Sequence, residues 1–172
     1  MSTMTWRRWA GLALLILSLS AQSQTETAST LWSGVVIYVV DGDTVHVRPV
    51  AGGVLHKIRI LGMDAPEICQ AGGVASRQAL QERVLKRFVT VRMQGIDVYG
   101  RDLATIYLSR EDVGKWMVRR GHAWSYRYQQ DSGPYGQEEE HARLLGRGLF
   151  AEMSPESPHD FRRRYGRCPY QR

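Results

Sequence analysis

Apolar and polar positions alternate through the first third of this chain and then shift to a spacing of three and four. Residues 35–40 form a β-branched, aromatic run that ends at the turn dipeptide Asp41-Gly42. Alternation resumes at Val45-His46-Val47, which predicts a hairpin. A second turn, Ala51-Gly52-Gly53, leads into residues 55–61, where Ile58 and Ile60 face one way and Arg59 the other. Three strands joined by short turns predict a meander. After Gly72-Gly73 the period changes. Leu80, Val84 and Phe88 recur four apart, Leu85 widens the stripe, and Arg77, Glu82, Arg83 and Lys86 fall outside it. That predicts a helix continuing through Phe88. Strands follow at residues 89–91 and 104–108, separated by a polar loop carrying Asp97, Tyr99 and Arg101.

A second helix is expected over residues 113–120, with Val113, Trp116 and Met117 inward and Gly121 as its C-cap. Residues 123–128 read as extended and aromatic. A third helix starts near Pro134, carries Glu138, Glu139 and Glu140 in its first turns, where the helix dipole favours anions, and ends about Gly146. Ser157-Pro158-His159-Asp160 combines a cap, a first-turn proline and a supporting carboxylate, and opens a short final helix. The fold class is therefore α+β, with five strands around packed helices. The order β-β-β-α-β-β is compatible with a five-stranded Greek-key barrel. Periodicity alone does not single out that topology.

The first residues belong to a different problem. Arg7 and Arg8 form a basic region before an apolar stretch over residues 10–20, too short to span a bilayer. Ala21-Gln22-Ser23 places small residues at both recognition positions of a signal peptidase, so residues 1–23 are expected to be a signal peptide. Export to the periplasm or the medium follows, with no membrane anchor in the mature form. Residues 24–32 then form a flexible lead-in, 33–151 the folded domain and 152–172 a basic extension. With 172 residues the chain suits one domain. The net charge of the whole chain is +6, mildly basic. Much of the excess lies in Arg162-Arg163-Arg164 and Arg167, which suits a polyanionic partner. Export turns the two cysteines, Cys69 and Cys168, into a candidate disulfide. It would pin the C-terminal segment beside the residues that follow Glu67, and the chain-entropy account assigns such a long loop about 4–5 kcal/mol.

Five charged residues carry the candidate chemistry. They sit in three blocks: Val40-Asp41-Gly42-Asp43-Thr44, Arg59 to Glu67, and Tyr99-Gly100-Arg101. Asp43 and Asp64, from adjacent strands, can meet at one rim of a barrel. Oxygen donors with no nearby His or Cys point to Ca²⁺ or Mg²⁺ over Zn²⁺. Asp41-Gly42-Asp43 fails as an EF-hand loop, because Val and His follow where ligands are needed. Glu67, fixed by Pro66, could orient or deprotonate a water. Arg59 and Arg101 are planar forks suited to a phosphate. The plain alternatives are a turn for Asp41 and Asp43, a loop acid for Glu67, and surface pairing of the arginines with Asp97 or Glu111. Tyr99, Tyr126 and Tyr128 could stack on a nucleotide or simply pack.

Together the blocks resemble the staphylococcal-nuclease (thermonuclease) family, over roughly residues 33–150 and in the same order, with Gly121 and Gly148-Leu149 in support. The resemblance implies an OB-fold barrel with three helices. It implies Ca²⁺-dependent endonucleolytic hydrolysis of DNA and RNA without strict sequence preference, leaving 3′-phosphates. By the same resemblance Asp43, Asp64 and the Ala65 carbonyl are calcium ligands, and Arg59, Glu67 and Arg101 are catalytic, with Glu67 as general base or water-orienting group. Tyr99, Tyr126 and Tyr128 fall where nucleotide contacts lie. A monomer without a stable protein partner is expected. The chain departs from the family at Ala65, at Val98, at Phe150, and in a shorter loop carrying Cys69. An inactive OB-fold nucleic-acid-binding module is the alternative, and a purely structural calcium site a third.

Overall fold

The structure, a computed structural model, describes residues 30–128 and 131–168. The expected signal peptide, and all of the lead-in but its last residues, lie outside the described residues. Among the described residues eight strands form: β1 Leu31–Val39, β2 Thr44–Pro49, β3 His56–Ile60, β4 Met63–Asp64, β5 Phe88–Ile96, β6 Asp102–Leu108, β7 Glu111–Asp112 and β8 Trp124–Ser125. Four α-helices accompany them among the described residues: α1 Gly73–Val84, α2 Val113–Arg119, α3 Gly136–Leu144 and α4 Pro158–Tyr165. The main sheet runs β3-β2-β1-β5-β6-β7, and β3 also pairs with β6, in parallel, so five strands close into a barrel. This is the α+β, five-stranded OB-fold barrel expected, with three helices and a short fourth. No helix among the described residues is long and apolar enough to cross a membrane.

Alternation explains the barrel interior. Val36, Val39, Val45, Val47, Ile58, Ile60, Val89, Val91, Ala104 and Ile106 all point inward and are buried. Leu80 and Val84 of α1 and Met117 and Val118 of α2 join the same core. Branched side chains on inward pleats remove apolar area from water at about 25 cal/mol per Å², which makes the register costly to slip. A smaller cluster joins Trp124, Ala142 and Phe150, the latter edge-on to Trp124 at 5.6 Å.

Two expectations are corrected. The α1 helix stops at Val84, and Phe88 opens β5 with 70% of its surface exposed. Lys86 adopts a left-handed backbone at φ 61° and donates its N–H to the Val36 carbonyl at 2.8 Å. Pairing with β1 thus overrides the four-residue spacing that had carried Phe88 onto the helix. Residues 123–128 contribute only the two-residue strand β8, paired with β4. In addition, β1 begins at Leu31, inside the expected lead-in, because Leu31 pairs with Arg92 of β5.

Glu139 lies in the first turn of α3, as expected, and is buried there. It is 1% exposed and accepts hydrogen bonds from Ser125 N at 2.9 Å, Arg127 Nη2 at 2.6 Å and Arg143 Nε at 2.9 Å. Glu139→Ala orphans the buried Ser125 N–H and should destabilise the protein by about 1–3 kcal/mol. Denaturant melts check this, and Glu140→Ala, on the exposed side of α3, should change little.

Candidate active site

Strand register assembles the site. Thr44 of β2 is opposite Arg59 of β3, so Asp43, one residue earlier, lies beside Arg59. The Asp43 carbonyl accepts the Ile60 N–H at 2.8 Å and holds the β1–β2 turn against β3. Gly42 at the apex permits close packing, since a Cβ there would run into Ser76 of α1 and the Ala65 side chain. Closure of the barrel supplies the third block: Ile58 pairs with Asp102, and Arg101, just before it, bonds Thr44, the residue opposite Arg59, although far away in sequence. Asp64 is held on β4 by pairing with Trp124. Glu67 sits in a turn whose tightness depends on Gly73, where a Cβ would strike the Glu67 carbonyl oxygen.

Arg59 is the hub. Its guanidinium is buried, pairs with the Asp43 carboxylate through Nη1, and reaches Asp64 Oδ1 through Nη2 at 3.0 Å. The Nη1 contact is an ion pair without hydrogen-bond geometry. Asp43 and Asp64 are both buried, at 8% and 6% exposure. Thr44 Oγ1 donates to Asp43 Oδ1 at 2.9 Å and accepts from Arg101 Nη1 at 3.3 Å. The Ala65 N–H donates to Asp43 Oδ2 at 3.3 Å. Arg101 is further fixed by Asp97, whose carboxylate accepts the Arg101 Nε at 2.7 Å and the backbone N–H groups of Tyr99 and Arg101 at 2.9 Å each. The pairing with Asp97 raised as an alternative for Arg101 is therefore present, and it aims the guanidinium along the cleft. Glu111 instead bonds Arg83 and Arg119.

These residues face one cleft of about 750 Å³. Asp43, Arg59, Ala65, Glu67, Tyr99, Arg101 and Tyr126 line it. Asp64 reaches it through its bonds to Arg59 and Arg162. Tyr128 is not among the lining residues and is 70% exposed. Cys69 and Cys168 form the expected disulfide, with Cα atoms 5.8 Å apart.

One residue of the site escaped sequence reasoning. Arg162 of α4 donates to Asp64 Oδ2 at 2.8 Å, to Asp64 Oδ1 at 3.2 Å and to Glu67 Oε1 at 3.2 Å. The signal was present in the Arg-rich run and in a cysteine pair that tethers it near Glu67, but nothing in the spacing singles out Arg162 from Arg163 or Arg164.

Electrostatics sharpen the picture. Burial opposes ionisation of Asp43, yet the Arg59 guanidinium and the hydrogen bonds from Thr44, Asp41 and Ala65 outweigh it and hold its carboxyl below the usual range. Burial, then the Asp43 charge, push Asp41 up to about 7. A carboxyl raised in the fold binds more protons there than in the unfolded chain, so its contribution to stability is present below about pH 4 and lost as pH rises towards 7. In chelator, Asp41→Asn should therefore gain stability relative to the parent across that window. Paired thermal melts at several pH values check it, and a pH-independent difference would refute the shift.

The donor set at the rim is oxygen only. Two buried carboxylates fit a hard divalent cation such as Ca²⁺ or Mg²⁺. Among the described residues no group of three or more His, Cys, Asp or Glu side chains converges as a cage. Backbone, water or substrate oxygens would have to complete the coordination.

The closed barrel thus carries paired carboxylates and arginines at one rim. The sequence profile described as "Staphylococcal nuclease homologue" matches residues 57–152, and the chain belongs to this family. It is 34% identical over 128 residues to an uncharacterized endonuclease of Haemophilus influenzae, covering 74% of this chain and 71% of that protein. It is 32% identical over 142 residues to the micrococcal nuclease of Shigella flexneri, covering 76% and 80%. A probable staphylococcal-like nuclease of Oryza sativa subsp. japonica is 33% identical over 108 residues, 63% of this chain but only 29% of the rice protein.

Proposed function

We propose that this chain is an exported, calcium-dependent endonuclease that hydrolyses DNA and RNA phosphodiester bonds without strict sequence specificity and leaves 3′-phosphate ends. One observation carries the reading: a continuous chain of polar contacts runs from Arg101 through the Thr44 hydroxyl to Asp43, Arg59, Asp64, Arg162 and Glu67, with arginines and carboxylates alternating along it. A site built only for packing has no need of six charged side chains at one cleft rim. Family membership and the nuclease names of the relatives point the same way.

Asp43, Asp64 and the Ala65 carbonyl would hold the cation. Bound there, Ca²⁺ supplies positive charge that offsets the charge developing on the phosphoryl oxygens. The chain's own residues do the rest. Arg59 and Arg101 present guanidinium N–H groups to the same oxygens, preorganised by Asp43, Thr44 and Asp97. Glu67 orients the attacking water and accepts its proton at a carboxylate oxygen. Tyr99 and Tyr126 offer faces and hydroxyls to a nucleotide, and Tyr128 would contact only substrate extending beyond the cleft.

The test is cleavage of single-stranded DNA and RNA by protein lacking residues 1–23, with Ca²⁺ and with chelator. The expected result is turnover with Ca²⁺, none with chelator, and fragments whose 3′ ends become extendable only after phosphatase treatment. Salt-sensitive binding without cleavage under any divalent cation would replace the enzyme with a binding module.

A further inference from the structure

The C-terminal extension lies beyond the residues that match the family, yet it closes over the site. Its anchors are independent of one another. Cys168 is bonded to Cys69, two residues past Glu67. The Gln70 side chain, itself buried, donates to the Glu156 carbonyl at 2.7 Å and accepts the Glu67 N–H at 3.1 Å. Within the extension, Ser157 starts α4 by accepting the Asp160 N–H at 3.1 Å, which shapes the segment without tethering it. The Arg167 guanidinium lies 4.2 Å from the centre of the Tyr99 ring, across the same cleft.

Between these anchors, Arg162 takes both oxygens of Asp64 and one of Glu67. The other contact on Asp64 Oδ1 is Arg59. Asp64 therefore has no carboxylate oxygen free of a guanidinium. A cation that binds Asp64 meets the Arg162 guanidinium on the same two oxygens, and the two positive charges repel at contact distance, so each is favoured by the other's departure. A water at Glu67 Oε1 faces the same competitor.

We propose that residues 156–168 form a disulfide-latched strap that holds Arg162 as an internal counter-cation, competing with the divalent cation for Asp64 and with the attacking water for Glu67. The strap rests on the calcium reading of the site and adds a control to it. Tethering at Cys168 and at Gln70 makes the competition intramolecular, so the guanidinium acts at a high effective concentration that no free arginine would match. The chain thus binds its metal more weakly than its carboxylates alone would, and metal binding frees α4.

Calorimetric titration of the oxidised protein with Ca²⁺ tests this directly. Arg162→Gln should tighten Ca²⁺ binding by about 5–100-fold, the usual range of coupling between competing sites. Replacing both Cys69 and Cys168 with Ser should tighten it in the same direction. Arg163→Gln, on the exposed side of the same helix, should match the parent. Hydrogen exchange over residues 158–168 should rise when Ca²⁺ is added to the parent. Unchanged or weaker Ca²⁺ binding in Arg162→Gln overturns the strap while leaving the calcium site standing. Loss of turnover in Arg162→Gln with unchanged affinity overturns it too, and makes Arg162 a phosphate ligand. No Ca²⁺ binding by any variant overturns both the strap and the calcium reading. If the double Ser variant fails to fold, Arg162→Gln alone decides.

Discussion

Glu67→Gln is expected to lower the turnover number by about 10²-fold or more at saturating Ca²⁺, the scale of one general acid–base group. The amide keeps the shape of the side chain and can still accept a hydrogen bond from water, but it takes no proton at neutral pH. Glu67 is half-buried and makes one side-chain ion pair, with Arg162, so thermal stability should shift little. Initial rates on a single-stranded oligonucleotide, with melts alongside, separate the two effects. A loss smaller than about tenfold would assign water activation to another group. An equal fall in stability and rate would make Glu67 a structural residue. A KM change without a turnover change would place it in substrate binding.

Arg59→Ala should have the largest effect on the fold itself. The guanidinium is the shared partner of Asp43 and Asp64, both buried. Its removal leaves Asp43 without its guanidinium and Asp64 with Arg162 alone, and breaking a buried pair from one side costs about 3–5 kcal/mol. In chelator the variant should melt well below the parent, and more so above pH 7 than at pH 4, because protonation neutralises the uncompensated carboxylate. Added Ca²⁺ should recover part of the difference by binding only the folded state. Turnover should fall by at least about 10²–10³-fold even where the fold is rescued, because a phosphate donor is gone. Full activity in the rescued variant would restrict Arg59 to charge balance. Destabilisation below about 1 kcal/mol would mean the carboxylates are solvated in solution.

Much of the site was legible because its parts are local. The turn at Asp41-Gly42-Asp43, the strand carrying Arg59 and the Asp97–Arg101 loop each declare themselves within a few residues. The Ser157 cap and its proline were equally plain, since capping chemistry is short-range. Arg101 and Arg59 could be named separately but not joined. Their meeting depends on parallel pairing of β3 with β6, a contact that closes the barrel and has no sequence period of its own. Phe88 shows the opposite failure. Its spacing fits the helix, yet β1 gains a full strand partner by claiming it.

The sequence by itself determined the five barrel strands in outline, the charged blocks, the cysteine pair and the family resemblance, because alternation, turn residues and short motifs act over one or two neighbours. Only the tertiary structure decided which guanidinium meets which carboxylate. It buried Glu139, left Tyr128 off the cleft, and chose Arg162 from three consecutive arginines. The physical reason is the same in each case. An ion pair forms where distance and desolvation permit, and both are set by packing between segments far apart in the chain.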